Sequence, residues 1–292
     1  MIQEIAESIW KVTSDAPGAS LCLLGGTHGN EHTGIAVIQL LVEDFPSGAR
    51  ILTAGSLTLS LGNLDAIAQN VRFIDGRDLN RYFCAKHLEG NGGDGSKEEQ
   101  RARLIAPLIA TSDDTIDIHA TNKPSVPFAA SKTDENHERI SRWFPLAYIL
   151  ADPTYIFAGE PVTTDEYADT VGKIGICVET GISTDVTKIP ETLLAIENIM
   201  ADLGMISIEH PPKLPETQPL IVTLQEAVLL DNRGFTFAPG RGLSSFEPIT
   251  QGDTLGYRGT APVIASHTGV ILFPKLPEHQ SLGKPVCYIA TQ

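Results

Sequence analysis

Residues Leu24-Gly25-Gly26-Thr27-His28-Gly29-Asn30-Glu31-His32-Thr33-Gly34 put two histidines and a carboxylate directly after the apolar run Leu21-Cys22-Leu23-Leu24. The run stops at a glycine pair, and a helical spacing of apolar residues begins after Thr33. This order predicts a buried strand, a tight loop and a helix start. His28 and Glu31 are three apart in a glycine-containing loop, so both side chains can converge on one point. Imidazole nitrogen with carboxylate oxygen is a donor pair that suits Zn²⁺. A third ligand is needed, and His119, closing the strand-like run Asp117-Ile118-His119, is the candidate. His32 competes with Glu31 because His28 and His32 have the four-residue spacing of a helical zinc site. No glutamate stands at position 29, which that helical motif requires. The plain alternative is a hydrogen-bonded His–Glu pair with no metal.

Outward from this loop the apolar periodicity alternates between two types. Residues 34–45 carry Ile35, Val37, Ile38, Leu41 and Val42 at helical spacing, and Pro46-Ser47-Gly48 ends the pattern. Residues 51–61 predict a second strand and 63–69 a short helical turn. Helices are predicted over 98–111, 136–144 and 190–203, and strands over 115–119, 147–150 and 174–178. The first twenty residues predict a peripheral helix or strand and a turn at Ala16-Pro17-Gly18. Residues 89–96 are Gly-rich and polar, which predicts a loop. Strands alternating with helices predict an α/β sheet covered on both faces. The composition then changes. Residues 209–216 are proline-rich and predict a linker, so that 1–208 forms a catalytic domain and 209–292 a small all-β domain capping its cleft. That last part faintly resembles a biotinyl/lipoyl-type sandwich but lacks the lysine-bearing hairpin that would tether a cofactor.

Bulk properties narrow the function. The chain has 292 residues with 21 basic against 36 acidic side chains, a formal net charge of −15. That charge argues against nucleic acid as a partner, and any anionic substrate must be read by local arginines. No apolar run is long enough to span a bilayer, and the first residues lack the basic start and apolar core of a signal peptide. Cytoplasm is the expected compartment. Cys22, Cys84, Cys177 and Cys287 are too widely spaced for a metal or redox motif, and Cys22 and Cys177 lie in strand-like runs that predict inert core thiols. Whether the chain forms a homo-oligomer stays open.

Four segments in order, Gly26-Thr27-His28-Gly29-Asn30-Glu31, Asp78-Leu79-Asn80-Arg81, Asp117-Ile118-His119 and Val178-Glu179-Thr180-Gly181, resemble the succinylglutamate desuccinylase/aspartoacylase family, a branch of the zinc carboxypeptidase fold. The resemblance covers roughly residues 20–205. It implies a carboxypeptidase-like mixed sheet flanked by helices, with one Zn²⁺ per chain held by His28, Glu31 and His119. It also implies a hydrolase acting on a small N-acyl amino acid or similar amide, with no membrane partner. Glu179 is then the general base, taking a proton from the attacking water and returning one to the leaving amine. Without the resemblance, an ion pair is the simpler reading of a carboxylate at the end of an apolar strand. Arg72 matches the arginine that steadies the oxyanion, and Asn80 with Arg81 matches the pair that binds the substrate carboxylate. The family stretch is one residue shorter here, so Arg77 competes with Arg72 for the place facing the metal. Asp117 could orient a ligand histidine.

One departure bears on substrate. Aspartoacylases carry a further arginine about ten residues before the catalytic glutamate, where this chain has Asp169, and no arginine lies between Arg142 and Glu179. The implied substrate is therefore less acidic than N-acetylaspartate. Tyr167, nearby, could hydrogen-bond it or could simply pack. A metallocarboxypeptidase acting on short peptides and a non-catalytic metabolite-binding module are the competing readings.

Overall fold

The computed structural model describes residues 2–90, 93–208 and 213–292. Its strands are β1 (Ile2–Ala6), β2 (Ile9–Thr13), β3 (Ser20–Gly25), β4 (Ser56–Leu61), β5 (Asp114–Thr121), β6 (Phe128–Ala130), β7 (Tyr148–Ala151) and β8 (Ile174–Ile182). The C-terminal part adds β9 (Leu220–Leu229), β10 (Thr236–Phe237), β11 (Glu247–Ile249), β12 (Thr254–Arg258), β13 (Ala261–Ile264), β14 (Gly269–Leu272) and β15 (Pro285–Thr291). The helices are α1 (His32–Ser47), α2 (Leu64–Gln69), α3 (Ala85–Leu88), α4 (Lys97–Thr111), α5 (Glu135–Ser141), α6 (Thr164–Thr170) and α7 (Lys188–Asp202).

Twelve strands form one mixed sheet in the order β1-β2-β4-β3-β5-β8-β6-β7-β9-β15-β14-β11. Its centre is parallel, with β4, β3, β5 and β8 side by side. Strand β6 then runs antiparallel to β8. Because side chains alternate across a strand, each central strand feeds two cores. Leu21 and Leu23 of β3, Ile116 and Ile118 of β5, and Ile176 and Val178 of β8 join the apolar layer formed with α1 and α7. Cys22 and Leu24 of β3 point the other way, into a smaller cluster with Ile105 and Ile109 of α4 and Ala168 of α6. On that second face, the intervening residues of β5 and β8 are Asp117, His119, Cys177 and Glu179. The sheet's period thus delivers the polar set to one side while the apolar set seals the other.

Two glycines make this possible at close range. A Cβ on Gly34 would fall 2.3 Å from the Ile118 carbonyl oxygen, and one on Gly29 would fall 2.0 Å from the Ala66 carbonyl carbon. Bare backbone at 34 lets the first turn of α1 press on β5 next to His119. Bare backbone at 29 lets the histidine loop lie on α2.

Several expected elements have different bounds. Residues 51–55 are not in the second strand, and Ile51 is exposed at 68 %. The first residues form the hairpin β1–β2, turning at Ser8 with φ 54°. Helix α6 and strand β6 were not expected. Thr163 and Glu166 form a capping box at the start of α6, a signal present in the sequence as T-x-x-E. The expected linker falls partly on residues 209–212, which lie outside the described residues, while Lys213, Leu214 and Glu216 are exposed. Beyond it the chain is strands apart from a short 3-10 turn at Pro277–His279, as expected. Four of those strands extend the main sheet through the parallel pairing of β9 with β7, and β10, β12 and β13 form a small second sheet. No described helix is long and apolar enough to cross a membrane.

Gly34→Ala should cost about 1–3 kcal/mol, because the added methyl meets fixed backbone and not a flexible side chain. Urea unfolding of the two proteins measures it. An unchanged midpoint would mean that α1 is free to draw back from β5.

Candidate active site

The loop after β3, the end of β5 and the end of β8 meet on the second face of the sheet. His28 is 3 % exposed, Glu31 0 % and His119 1 %. His28 Nδ1 lies 2.8 Å from Glu31 Oε1 and 3.1 Å from His119 Nδ1, and His119 Nδ1 lies 2.9 Å from Glu31 Oε2. Three side chains therefore bound one small triangle, with two imidazole nitrogens and both carboxylate oxygens facing it. Tetrahedral zinc with bonds of about 2.0–2.1 Å sets its ligand atoms about 3.3 Å apart. A shift of a few tenths of an ångström would seat such an ion, and the donors are the two imidazoles and one carboxylate of a hydrolytic zinc site.

The far side of each ring is also held. His28 Nε2 is 2.9 Å from Asp78 Oδ1, and His119 Nε2 is 3.0 Å from Asp117 Oδ2. A carboxylate on one ring nitrogen favours the proton there and leaves the lone pair of the other facing the triangle. Asp117 is itself fixed by the hydroxyls of Thr27 at 3.0 Å and Thr164 at 2.7 Å. The orienting role expected of Asp117 has its geometry. That of Asp78 was not anticipated, although it directly precedes the Leu79-Asn80-Arg81 run, and neither threonine was singled out.

The charges are mutually dependent. Burial pushes the Glu31 carboxyl up, but His28 and His119 outweigh it and hold it far below the usual carboxylate range. Burial likewise opposes charge on both histidines, and the neighbouring carboxylates outweigh it, Glu31 and Asp78 at His28 and chiefly Asp117 at His119. Both end above the ordinary imidazole value.

Glu179 stands beside this cluster. Parallel register pairs it with His119 of β5, and antiparallel register pairs it with Phe128 of β6. Its Oε2 is buried with no hydrogen-bond partner among the described residues. Burial, then the negative charge of Glu31, pushes its pKa up to about 7 against the pull of His119, Arg72 and His28. Such a carboxyl can take a proton and give it back near neutrality.

The two candidate arginines are placed differently. Arg72 Nη1 donates to Glu31 Oε1 at 2.7 Å and lines the cavity. Arg77 lies outside the cavity lining, 3.8 Å from Asp75 and 3.6 Å from Asp94, where it is held as a surface ion pair. Asn80 is buried, with its Oδ1 accepting from the Thr164 N–H at 3.0 Å, so its amide N–H₂ is the end left for a ligand. Arg81 donates to the Asn80 carbonyl at 2.7 Å and also lines the cavity. Tyr167 does not reach the cavity, because its ring packs with Phe83 and the α4 cluster. His32 is turned to the Asn70 side chain at 2.7 Å, away from the triangle. Cys177 is the buried thiol that was expected. It also lines the cavity beside His119 and Glu179, with burial pushing its thiol well above the ordinary value.

The cavity has a volume of about 1290 Å³, above the usual small-ligand range of about 300–1,000 Å³. Its floor is His28, Arg72, His119 and Glu179, and part of its wall comes from the C-terminal region.

Comparison with known proteins places this geometry among relatives. Residues 17–202 match the succinylglutamate desuccinylase/aspartoacylase catalytic domain. An N-alpha-acetyl-L-2,4-diaminobutyric acid deacetylase from Halomonas elongata is 25 % identical, over 96 % of this chain and 84 % of that protein. A succinylglutamate desuccinylase from Pseudomonas paraeruginosa is 36 % identical over a shorter stretch, 33 % of this chain and 28 % of that one. A solved succinylglutamate desuccinylase from Vibrio cholerae superposes with a TM-score of 0.78 at 17 % identity, over 98 % of this chain and 85 % of the other, a likeness of fold. The chain belongs to the succinylglutamate desuccinylase/aspartoacylase family.

Proposed function

We propose that this protein is a zinc-dependent amidohydrolase that removes the acyl group from a small N-acyl amino acid. The observation that carries the reading is the triangle of His28, Glu31 and His119 donors with Glu179 one strand away, its buried Oε2 without a hydrogen-bond partner among the described residues. Relatives named as a deacetylase and a desuccinylase support the same reaction class.

Bound zinc would polarise the amide carbonyl and lower the pKa of water towards about 7. Glu179 then takes a proton from the attacking water and passes it to the departing amide nitrogen. Its lack of a fixed hydrogen-bond partner leaves Oε2 open for that exchange. Arg72, held at the edge of the triangle, donates to the oxyanion as charge grows on the former carbonyl oxygen. Asn80 and Arg81 fix the carboxylate of the amino-acid half, where the planar guanidinium suits a two-oxygen acceptor. Residues 209–292 act as the cap of the cleft, since Ser244, Ser245, Phe273, Lys275 and Tyr288 contribute to its wall and limit access to small substrates.

Metal analysis should find one zinc per chain, and chelation should abolish turnover of N-acyl amino acids until zinc is restored. Short peptides should be poor substrates, and turnover confined to peptides would favour a carboxypeptidase. Glu179→Gln should keep the metal and lose about 10²–10⁴ in kcat. Arg72→Ala should lose about 10²–10³. Equal turnover by Glu179→Gln would end the assignment of the base.

The acid side of the pH profile carries a sign. The base works deprotonated, so kcat/KM should fall as pH drops through the Glu179 pKa, which is about 7 before metal binds and lower once a cation sits beside it. A kcat/KM that holds constant well below pH 5 would assign the proton transfer to another group.

A further inference from the structure

We propose that His119, Cys177 and Glu179 form a second metal site, selective for a soft, thiophilic cation such as Cd²⁺, whose occupation takes the His119 imidazole and the Glu179 carboxylate out of catalysis. The site itself stands on geometry, and only its effect on turnover rests on the amidohydrolase reading. One donor atom from each of the three residues lies within 4.8 Å of the other two. Cys177 and Glu179 are two apart on β8 and share a face, and parallel register sets Cys177 opposite Asp117 and Glu179 opposite His119. The thiol therefore stands one row of the sheet before the base. Its partner on β6 is Ala130, whose methyl is too short to cover the sulfur, and both residues line the cavity.

Two of the three residues present polar atoms that are not satisfied. Glu179 Oε2 is buried with no hydrogen bond among the described residues. His119 Nε2, although 3.0 Å from Asp117 Oδ2, makes no aligned hydrogen bond either. Charge also favours a cation here. A thiolate and a carboxylate together cancel a divalent ion, whereas the triangle of His28, Glu31 and His119 has one carboxylate and leaves a net positive charge. The side chains acting most on Cys177 are His119, Asp165 and Glu179, and Asp165 shares the cavity lining. The lysines of that lining are placed elsewhere. Lys132 pairs with Asp169 at 3.1 Å, and Lys123 donates to the Pro274 carbonyl at 3.2 Å. Lys275 and His279 follow β14, and none of these four is among the charges acting most on Cys177 or Glu179. Arg72, which does act on Glu179, is already paired with Glu31 at 2.7 Å.

Sulfur sets the preference between the two sites. Thiolate favours soft cations, and imidazole with carboxylate suits zinc. The triangle is also preformed, with His28 Nδ1 at 2.8 Å from Glu31 and 3.1 Å from His119, so zinc gains less from the wider set. Both sets draw on His119, so a cadmium ion at the second displaces zinc from the first. Binding breaks the S–H bond, forms an S–Cd bond and releases the proton to solvent, with no electron transferred. Cys22, Cys84 and Cys287 are buried and belong to no such group among the described residues.

The test titrates the zinc-loaded protein with Cd²⁺. A thiolate-to-cadmium charge-transfer band should grow in the ultraviolet and saturate at one cadmium per chain, with one zinc released for each cadmium bound. Cys177→Ser should keep its zinc and its turnover of N-acyl amino acids and show no band. Turnover by the parent protein should fall with the midpoint at which the band rises, and Cys177→Ser should need at least tenfold more Cd²⁺ for half inhibition. Glu179→Gln should bind cadmium at least tenfold more weakly, read by the same band. No band, a band that persists in Cys177→Ser, or equal inhibition of the two proteins would overturn the proposal, the last because cadmium would then be replacing zinc within the triangle. A band lost in Cys177→Ser, in a protein that hydrolyses no N-acyl amino acid, would support the second site and sink the hydrolase reading instead.

Discussion

A carboxylate with no exposed surface, Glu31, is the constraint from which the rest of this molecule follows. An ion of that kind is expensive to bury alone and stable only when it is surrounded by donors. Here it receives two imidazoles, the Ala120 N–H at 3.1 Å and the Arg72 guanidinium. None of these partners can be supplied locally except His28. His119 and Ala120 come from a strand about ninety residues on, and Arg72 from the loop after α2. Folding has to bring these segments together, or the carboxylate stays unpaired.

The parallel centre of the sheet does this with little freedom. Register pairs Leu24 with Asp117 and Asp117 with Cys177, so one row of the sheet carries the support for His119. The next row carries His119 and Glu179. A slip of one residue would turn every one of these groups into the apolar layer and every isoleucine out of it. The hydrophobic pattern on the α1 and α7 face therefore protects the geometry of a site to which it contributes no atom. Thr27 and Thr164 serve the same end from the polar side by clamping Asp117 between them.

The His28–Glu31–His119 triangle lies at one end of the cavity, whose remaining lining mixes rings such as Phe128, Phe157 and Tyr288 with charged side chains such as Lys123, Asp152 and Lys275. Arg72 links the two regions, pairing with Glu31 while facing the cleft. The C-terminal strands matter to the cavity because β9 continues the sheet, and Tyr288 of β15 and Phe273 just after β14 line the cavity.

The meeting of His28, Glu31, His119 and Glu179 was legible in the sequence. His28 and Glu31 share one loop, and His119 and Glu179 each end an apolar strand whose alternation fixes the facing side. The α1, α4 and α7 helices were legible for the same reason, since their apolar periodicity is strong and each runs fifteen or sixteen residues. Tyr167 and Arg77 were not, because proximity along the chain says nothing about which side of a loop or helix a side chain takes. Tyr167 turned into the α4 cluster and Arg77 to surface acids. The roles of Asp78, Thr27 and Thr164 depend on contacts between segments far apart in sequence. Local composition carries the strand and helix periods, and so the face of each element. Only tertiary packing decides which faces meet, because that choice is made by long-range pairing and burial that no single stretch contains.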